Sequence, residues 1–405
     1  MSKGIGPMFT LPEPVSHAPE APIPLCVPVI RGNEWTYVKE CLDTNFVSSV
    51  GPFVDRFERM VAGYLGASHS VATVSGTSAL HVALVVAGVQ TDDEVVMSAL
   101  SFIAPANAAR YIGAWPVFMD AEPHYWQMDP DKLLDFLNNE CRWRNHELRN
   151  KSTGRRVKAV LPVHILGHPC DMDPILETAH KYELTVIEDA TESLGAWYKE
   201  RKVGCLGDIA CLSFNGNKII TTGGGGMLIT ESAHWARRAK YLTTQAKDDP
   251  VEYIHHEIGF NYRLTNVQAA LGCGQMEKLE DYVAAKRSIA SIYIKALPAI
   301  PGLTRMTEAP WAVGTFWMYT VLIDSGCFGM DRNELMNCFA KFGVETRPLW
   351  QPLHLSPAHR GCQSYRCDTA ANIYRNSLSL PSSVNLSRCD QERVIGIFQK
   401  ACITA

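Results

Sequence analysis

The chain has 405 residues, 46% hydrophobic and 20% charged, with 38 basic against 42 acidic side chains and a formal net charge of -4. This composition fits a soluble globular protein and excludes a disordered tail, a disulfide-stapled mini-domain and a collagen-like chain. No basic block points to nucleic acid or an anionic membrane as partner, and no apolar stretch reaches the ~18 residues that a membrane span needs. The 13 cysteines form no CxxC pair and have no histidines at zinc-ligand intervals. Reduced thiols, a cytoplasmic location and no metal site are therefore expected.

Residues 1–28 are Pro-rich and aperiodic, an irregular arm that is either mobile or laid over another surface. Apolar spacing predicts helices from Asn33 to Asn45 and from Pro52 to Leu65. Short apolar runs then alternate with amphipathic segments. Strands are expected at Ser70–Val74, Glu94–Met97, Trp115–Met119, Val157–Val163 and Thr185–Glu188, with helices near Ser78–Ala87, Ala104–Ile112, Asp131–Leu137 and Pro174–Tyr182. This alternation implies right-handed βαβ crossovers, hence an α/β fold with a mostly parallel sheet and helices on both faces. Ile209–Phe214 and Met227–Thr230 are joined by a loop too short for a helix and read as a hairpin. The polar stretch Asn138 to Arg156 reads as a surface excursion. A long helix is expected from Asn266 to Ala296, then a smaller α+β unit with strand-like Phe316–Ile323, a helix Asp331–Phe342 and Val344–Leu349. The expected division is an arm 1–28, a large cofactor-binding domain 29–270 and a small C-terminal domain 271–405.

Ligands of such sheets bind at the carboxyl ends of the strands, so polar residues there are the candidates. Ser75-Gly76-Thr77-Ser78 follows a strand and opens a helix, a place where backbone amides and the helix dipole suit a phosphate. An ordinary N-cap by Ser75 or Thr77 explains the same residues equally well. Asp189 ends a buried strand, and Asp189-Ala-Thr-Glu192 resembles a capping box with Glu192 at the third helical position. Lys218 lies in the apolar, Gly-rich hairpin that leads to Gly223–Gly226, where desolvation would make it a usable nucleophile. Taken singly, a loop lysine is more often structural. Together the three supply the parts that hold pyridoxal phosphate: a phosphate seat, an aspartate for the pyridine nitrogen and a Schiff-base lysine. Phe102, after the next strand, could stack on the ring or belong to the core.

Ser75–Leu80, Glu188–Glu192, Ser213–Lys218 and Gly259–Thr265, in this order, resemble the DegT/DnrJ-type sugar aminotransferases, fold-type I enzymes that use pyridoxal phosphate on nucleotide-linked keto sugars. The resemblance spans roughly residues 25 to 400. It implies that Lys218 is the Schiff-base lysine and proton shuttle, that Asp189 pairs with the pyridine nitrogen and that Phe102 stacks on the ring. It further implies phosphate contacts from Gly76, Thr77, Ser78 and Ser213, with Asn261 reaching the phosphate of the partner subunit in a homodimer with shared sites. His164 would lie near the cofactor, and a structural histidine is as good a reading. Trp317, Arg347 and His354 would meet substrate; Arg263 would meet an acidic group of donor or substrate, and a structural salt bridge is as good a reading. Glu192 stands where many relatives have Gln or His, which leaves its contact with the cofactor open. With the polar insertion before Val157, it is similar to the legionaminic-acid pathway aminotransferases. That similarity implies glutamate as donor and position 4 of a UDP-linked 2-acetamido-2,6-dideoxy-4-keto-hexose as acceptor. A sugar dehydratase of the same fold is the alternative, opposed by Lys218, because such relatives carry histidine there. A non-catalytic sensor or regulator is a further one, opposed by the intact Lys218 and Asp189.

Overall fold

The computed structural model describes residues 21–249 and 251–403. Its centre is an eight-stranded sheet of β1 (His69–Thr73), β2 (Glu94–Ser98), β3 (Trp115–Met119), β4 (Val157–Leu161), β5 (Thr185–Asp189), β6 (Ile209–Ser213), β7 (Gly226–Thr230) and β8 (Gln363–Tyr365). The spatial order is β1-β7-β6-β5-β4-β2-β3-β8. All neighbours pair in parallel except at β7, which runs antiparallel to both β1 and β6. Val95, Val96, Met97, Val117, Phe118, Met119, Val160, Leu161, Val186 and Ile187 are all fully buried. Helices cover both faces, which is why these strands read as continuous apolar runs rather than as alternating ones.

A carboxylate that opens a strand is buried at the far end of the sheet. Glu94 opens β2 with 1% exposure, and burial pushes its carboxyl up from the ordinary range while Thr153 and Asn150 draw it back. Their side chains donate to it at 2.6 and 2.8 Å. The polar excursion is thus a built element: the hairpin Cys141–Arg144/Glu147–Asn150 brings donors to a carboxylate that would otherwise be costly to desolvate.

The expected helix from Asn266 to Ala296 is two helices, Asn266–Met276 and Leu279–Ala296. It breaks at Glu277-Lys278, where the Glu277 carboxylate is held by Asn33, Tyr37 and Arg56. The first half packs on the helices Glu34–Asp43 and Pro52–Leu65, the second against the C-terminal helix Arg388–Ile403, so residue 270 lies inside a helix that serves the large unit. The C-terminal region forms a three-stranded sheet of Leu303–Arg305, Tyr319–Ile323 and Ser377–Leu380 and also lends β8 to the edge of the large sheet. Val344–Leu349 is not a strand: its pairing is limited to single bridges, Ile23 with Val344 and Arg347 with Ser379. Of the N-terminal arm, residues 1–20 lie outside the described residues. Its continuation is laid over the small unit, with Ile23 bonded to Gly343 and Glu345 and the Leu25 carbonyl accepting from Ser382. All 13 cysteines are free thiols. Among the described residues, no helix is long and apolar enough to cross a membrane.

Candidate active site

A cavity of about 320 Å³ opens at the carboxyl edge of the sheet. The ends of β1, β2, β4, β5 and β6 and the start of the antiparallel β7 all meet there, so residues far apart in sequence become neighbours. After β1, Ser75 caps the helix Gly76–Val86, its Oγ accepting the Ser78 amide at 3.1 Å. This cap occupies the Ser78 amide and leaves those of Gly76 and Thr77 at the cavity. A side chain at Gly76 would press on Ser213, and a Cβ at Gly226 would come within 2.3 Å of the Ser75 carbonyl oxygen. Only glycines let β6, β7 and the helix start approach this closely, and the seat they leave suits an anion at a helix N-terminus.

No helix begins at Asp189, so the capping box expected there does not form. Asp189 instead closes a turn, its Oδ1 accepting the Thr191 amide at 3.1 Å, and Glu192 turns into the cavity. The reason lies one residue upstream. Successive strand residues point to opposite faces, and Glu188 points away from the cavity. There it accepts from the amides of Gly204, Leu206 and Gly207 and meets His164 Nε2 at 3.0 Å. His164 Nδ1 accepts the Cys170 amide at 3.0 Å, leaving the ring proton on Nε2 for Glu188. His164 is fully buried beneath this edge and is not brought into the cavity. The Asp189 carboxylate, by contrast, is buried, and among the described residues Thr191 is its one hydrogen-bonding partner. Burial pushes the carboxyl up, and the hydrogen bonds from Thr191 and the charge of Lys218 offset this only in part.

Lys218 enters from the β6–β7 loop. That loop is closed on itself: Phe214 N–H donates to Gly225 and Thr222 N–H to Phe214, both at 2.9 Å, and Gln268 donates to Gly224 at 2.8 Å. Lys218 Nζ stands 3.4 Å from Glu192 Oε1 and 4.2 Å from the Trp317 ring centre. Phe102 forms part of the wall, 56% exposed for an aromatic side chain.

Trp317 belongs to the expected strand Phe316–Ile323, but the strand starts only at Tyr319. Phe316 takes the left-handed conformation at φ 50°, and Trp317 turns inward, its Nε1–H donating to the Asn217 carbonyl at 2.7 Å. Trp350, unread in the sequence, lies parallel to it with ring centres 6.4 Å apart; only an isolated aromatic hinted at it. The backbone at Trp317 is held by Lys286, which is fully buried. Its Nζ donates to the carbonyls of Trp317 (2.8 Å) and Ser382 and lies 3.3 Å from Cys26 Sγ. Lys286→Met keeps the apolar stem but strands both carbonyls. The expected loss is about 2–4 kcal/mol of stability, read by denaturant unfolding.

The remaining candidates lie elsewhere. Arg347 is exposed and paired with Glu345 at 2.6 Å, and His354 sits outside the cavity with its Nδ1 buried and unpartnered. Asn261 is exposed, and Arg263 Nε is buried without a hydrogen-bond partner. The Val74 amide bonds to the Tyr262 carbonyl at 2.8 Å, which places this segment beside the helix start.

A cavity built this way narrows the chemistry. A carboxylate buried with one hydrogen-bonding partner asks for a cationic ring nitrogen, the glycine seat for a phosphate, and a lysine between them for a carbonyl carbon. With a parallel sheet closed by one antiparallel strand, this defines a fold-type I pyridoxal-phosphate-dependent transferase. Residues 28–399 match the DegT/DnrJ/EryC1/StrS aminotransferase family, and the chain belongs to that family: it is a pyridoxal-phosphate-dependent sugar aminotransferase. It is 38% identical over 384 residues to a GDP-perosamine synthase of Caulobacter vibrioides, covering 94% of this chain and 98% of that one. It is 36% identical to a GDP-perosamine synthase of Escherichia coli O157:H7, covering 93% and 97%. The solved aminotransferase TlmJ of Streptoalloteichus hindustanus superposes with a TM-score of 0.85 at 27% identity, covering 95% of this chain and all of that one.

Proposed function

We propose that this enzyme moves an amino group from glutamate to position 4 of a nucleotide-linked 4-keto-6-deoxy hexose. The observation that carries the reading is the convergence of Lys218, the poorly partnered Asp189 and the Gly76 helix start on one cavity. When bound, pyridoxal phosphate supplies a carbonyl for Lys218 and an electron-withdrawing ring that makes the donor's α-proton labile. The Gly76 and Thr77 amides and the Ser213 hydroxyl hold its phosphate, Asp189 keeps the ring nitrogen protonated, and Phe102 covers one ring face. Lys218 Nζ moves the proton between the two carbons that exchange it. Exposed Asn261 and unpartnered Arg263 suit a second subunit: Asn261 reaches the phosphate in the partner's cavity, making a homodimer with shared sites.

The names of the two relatives favour a GDP-linked sugar. A UDP-linked 2-acetamido sugar is what the resemblance to the legionaminic-acid type implies, read from Glu192, the polar insertion before Val157 and the segment Asp208–Lys218. One experiment tests both readings. The enzyme is incubated with glutamate and, separately, with GDP- and UDP-linked 4-keto-6-deoxy hexoses, and ketone-to-amine conversion is followed by mass together with release of 2-oxoglutarate. Turnover of the GDP sugar is the expected result. Turnover of the UDP sugar alone reverses the nucleotide assignment, and amination of neither sinks the reading.

A further inference from the structure

We infer that Glu192 is the counter-ion of Lys218 during proton transfer, holding the ammonium that Lys218 becomes when its Nζ takes the α-proton of the amino donor. This rests on the aminotransferase reading and adds a catalytic residue to it. Among the described residues that line the cavity, only Asp189, Glu192 and Lys218 have charged side chains. A protonated ring nitrogen answers Asp189, and a phosphate is answered by the amides of the helix start. That leaves one carboxylate and one lysine, and they face each other.

The geometry is built for this pairing. Leu166 N–H donates to Glu192 Oε2 at 2.8 Å, from a turn in which Leu166 itself adopts φ 60°. With Oε2 fixed, Oε1 is aimed at Lys218 Nζ, 3.4 Å away. Opposite charges so placed in a buried site interact far more strongly than in water. The indole face of Trp317, 4.2 Å from the same nitrogen, adds a cation–π contact that favours the ammonium. Burial pushes the Glu192 carboxyl up, and the Lys218 charge is the largest influence drawing it back. The carboxylate is thus best held ionised while Lys218 is charged.

In the transfer the α-carbon–hydrogen bond would break, with its electron pair taken up by the electron sink that bound pyridoxal phosphate would supply. One N–H bond forms at Nζ, and the amine becomes an ammonium. Glu192 remains an anion, and Lys218 gives the proton up again in the second half of the shift. A preorganised anion beside a charge that appears only in mid-reaction lowers the barrier without tightening ground-state binding.

The test uses cofactor-free protein, so that it reads Lys218 directly. An amine-specific acylating reagent is applied at neutral pH, and labelling of the Lys218 peptide is timed by mass spectrometry in wild type, Glu192→Gln and Glu192→Asp. Loss of the anion frees the amine. Lys218 is expected to label about tenfold faster or more in Glu192→Gln, the low end of what an adjacent opposite charge does to an ionisation equilibrium. Other lysines should be unaffected, and Glu192→Asp, which keeps the charge, should stay nearer to wild type. In reconstituted enzyme, the isotope effect with α-deuterated glutamate should rise in Glu192→Gln. Equal labelling rates in a protein that still aminates sugar would overturn the role of Glu192 alone. Failure of the wild type to aminate any keto sugar would overturn the underlying reading instead.

Discussion

Lys218→Ala is expected to lower amination by at least about 10³-fold, because the substitution removes the proposed nucleophile and acid–base group. Wild-type protein with pyridoxal phosphate should be yellow and should fix the cofactor on borohydride treatment at Lys218. The alanine variant should do neither. Lys218→Arg separates charge from chemistry. A guanidinium keeps a cation opposite Glu192 and against the Trp317 face, yet it stays protonated and cannot attack a carbonyl. Arginine should therefore match alanine in activity while unfolding closer to wild type, since it spares the cavity two uncompensated carboxylates. Peptide mapping after borohydride reduction checks the point of attachment, and fixation at any other lysine would remove Lys218 from the mechanism.

Much of the frame was legible in the sequence because its elements are written locally. The helix Pro52–Leu65 and the strand Trp115–Met119 stand at their expected bounds, one marked by proline at its first turn and one by an unbroken apolar run. The pairing of β6 and β7 followed from a loop too short for a crossover. That the helix start at Gly76, Asp189 and Lys218 meet could be read because strand ends of such a sheet converge. What could not be read depends on partners remote in the chain. β8 reaches the sheet edge from residue 363. The Asp189 segment satisfies the helix-cap pattern, but Glu188 one residue before it is committed to the amides of Gly204–Gly207, and the chain turns into the cavity instead. The same commitment claims His164. Trp317 looked like the first part of a strand, and nothing local announces that Lys286, 31 residues earlier, will hold its carbonyl. Arg347 and His354 were read as sugar contacts from the small domain, and neither lines the cavity.

Asp189→Asn should separate stability from catalysis, with opposite signs. The Asp189 carboxyl is held above its ordinary value, chiefly by burial and against the pull of Thr191 and Lys218. A carboxyl whose folded value exceeds its unfolded value is a liability that appears as pH rises from the unfolded value to the folded one, and it is fully present above both. Once the pH exceeds the folded value, the cofactor-free protein therefore bears an unfavourable buried charge. Asparagine removes that charge and keeps the oxygen that accepts the Thr191 amide. The cofactor-free variant should melt no lower than wild type, and its advantage should shrink on acidification. The loaded enzyme should behave in the opposite way. Without an anion to keep the ring nitrogen protonated, the electron sink is weakened and the rate should fall about 10²–10³-fold, the range for losing one preorganised partner of a developing charge. The rise in melting temperature on adding pyridoxal phosphate should be smaller as well, because ligand stabilisation follows affinity. Calorimetry of both forms at two pH values, with single-turnover rates, decides the matter. A cofactor-free variant markedly less stable than wild type would mean that Asp189 serves the fold, and its position at the cavity floor would then need a different explanation.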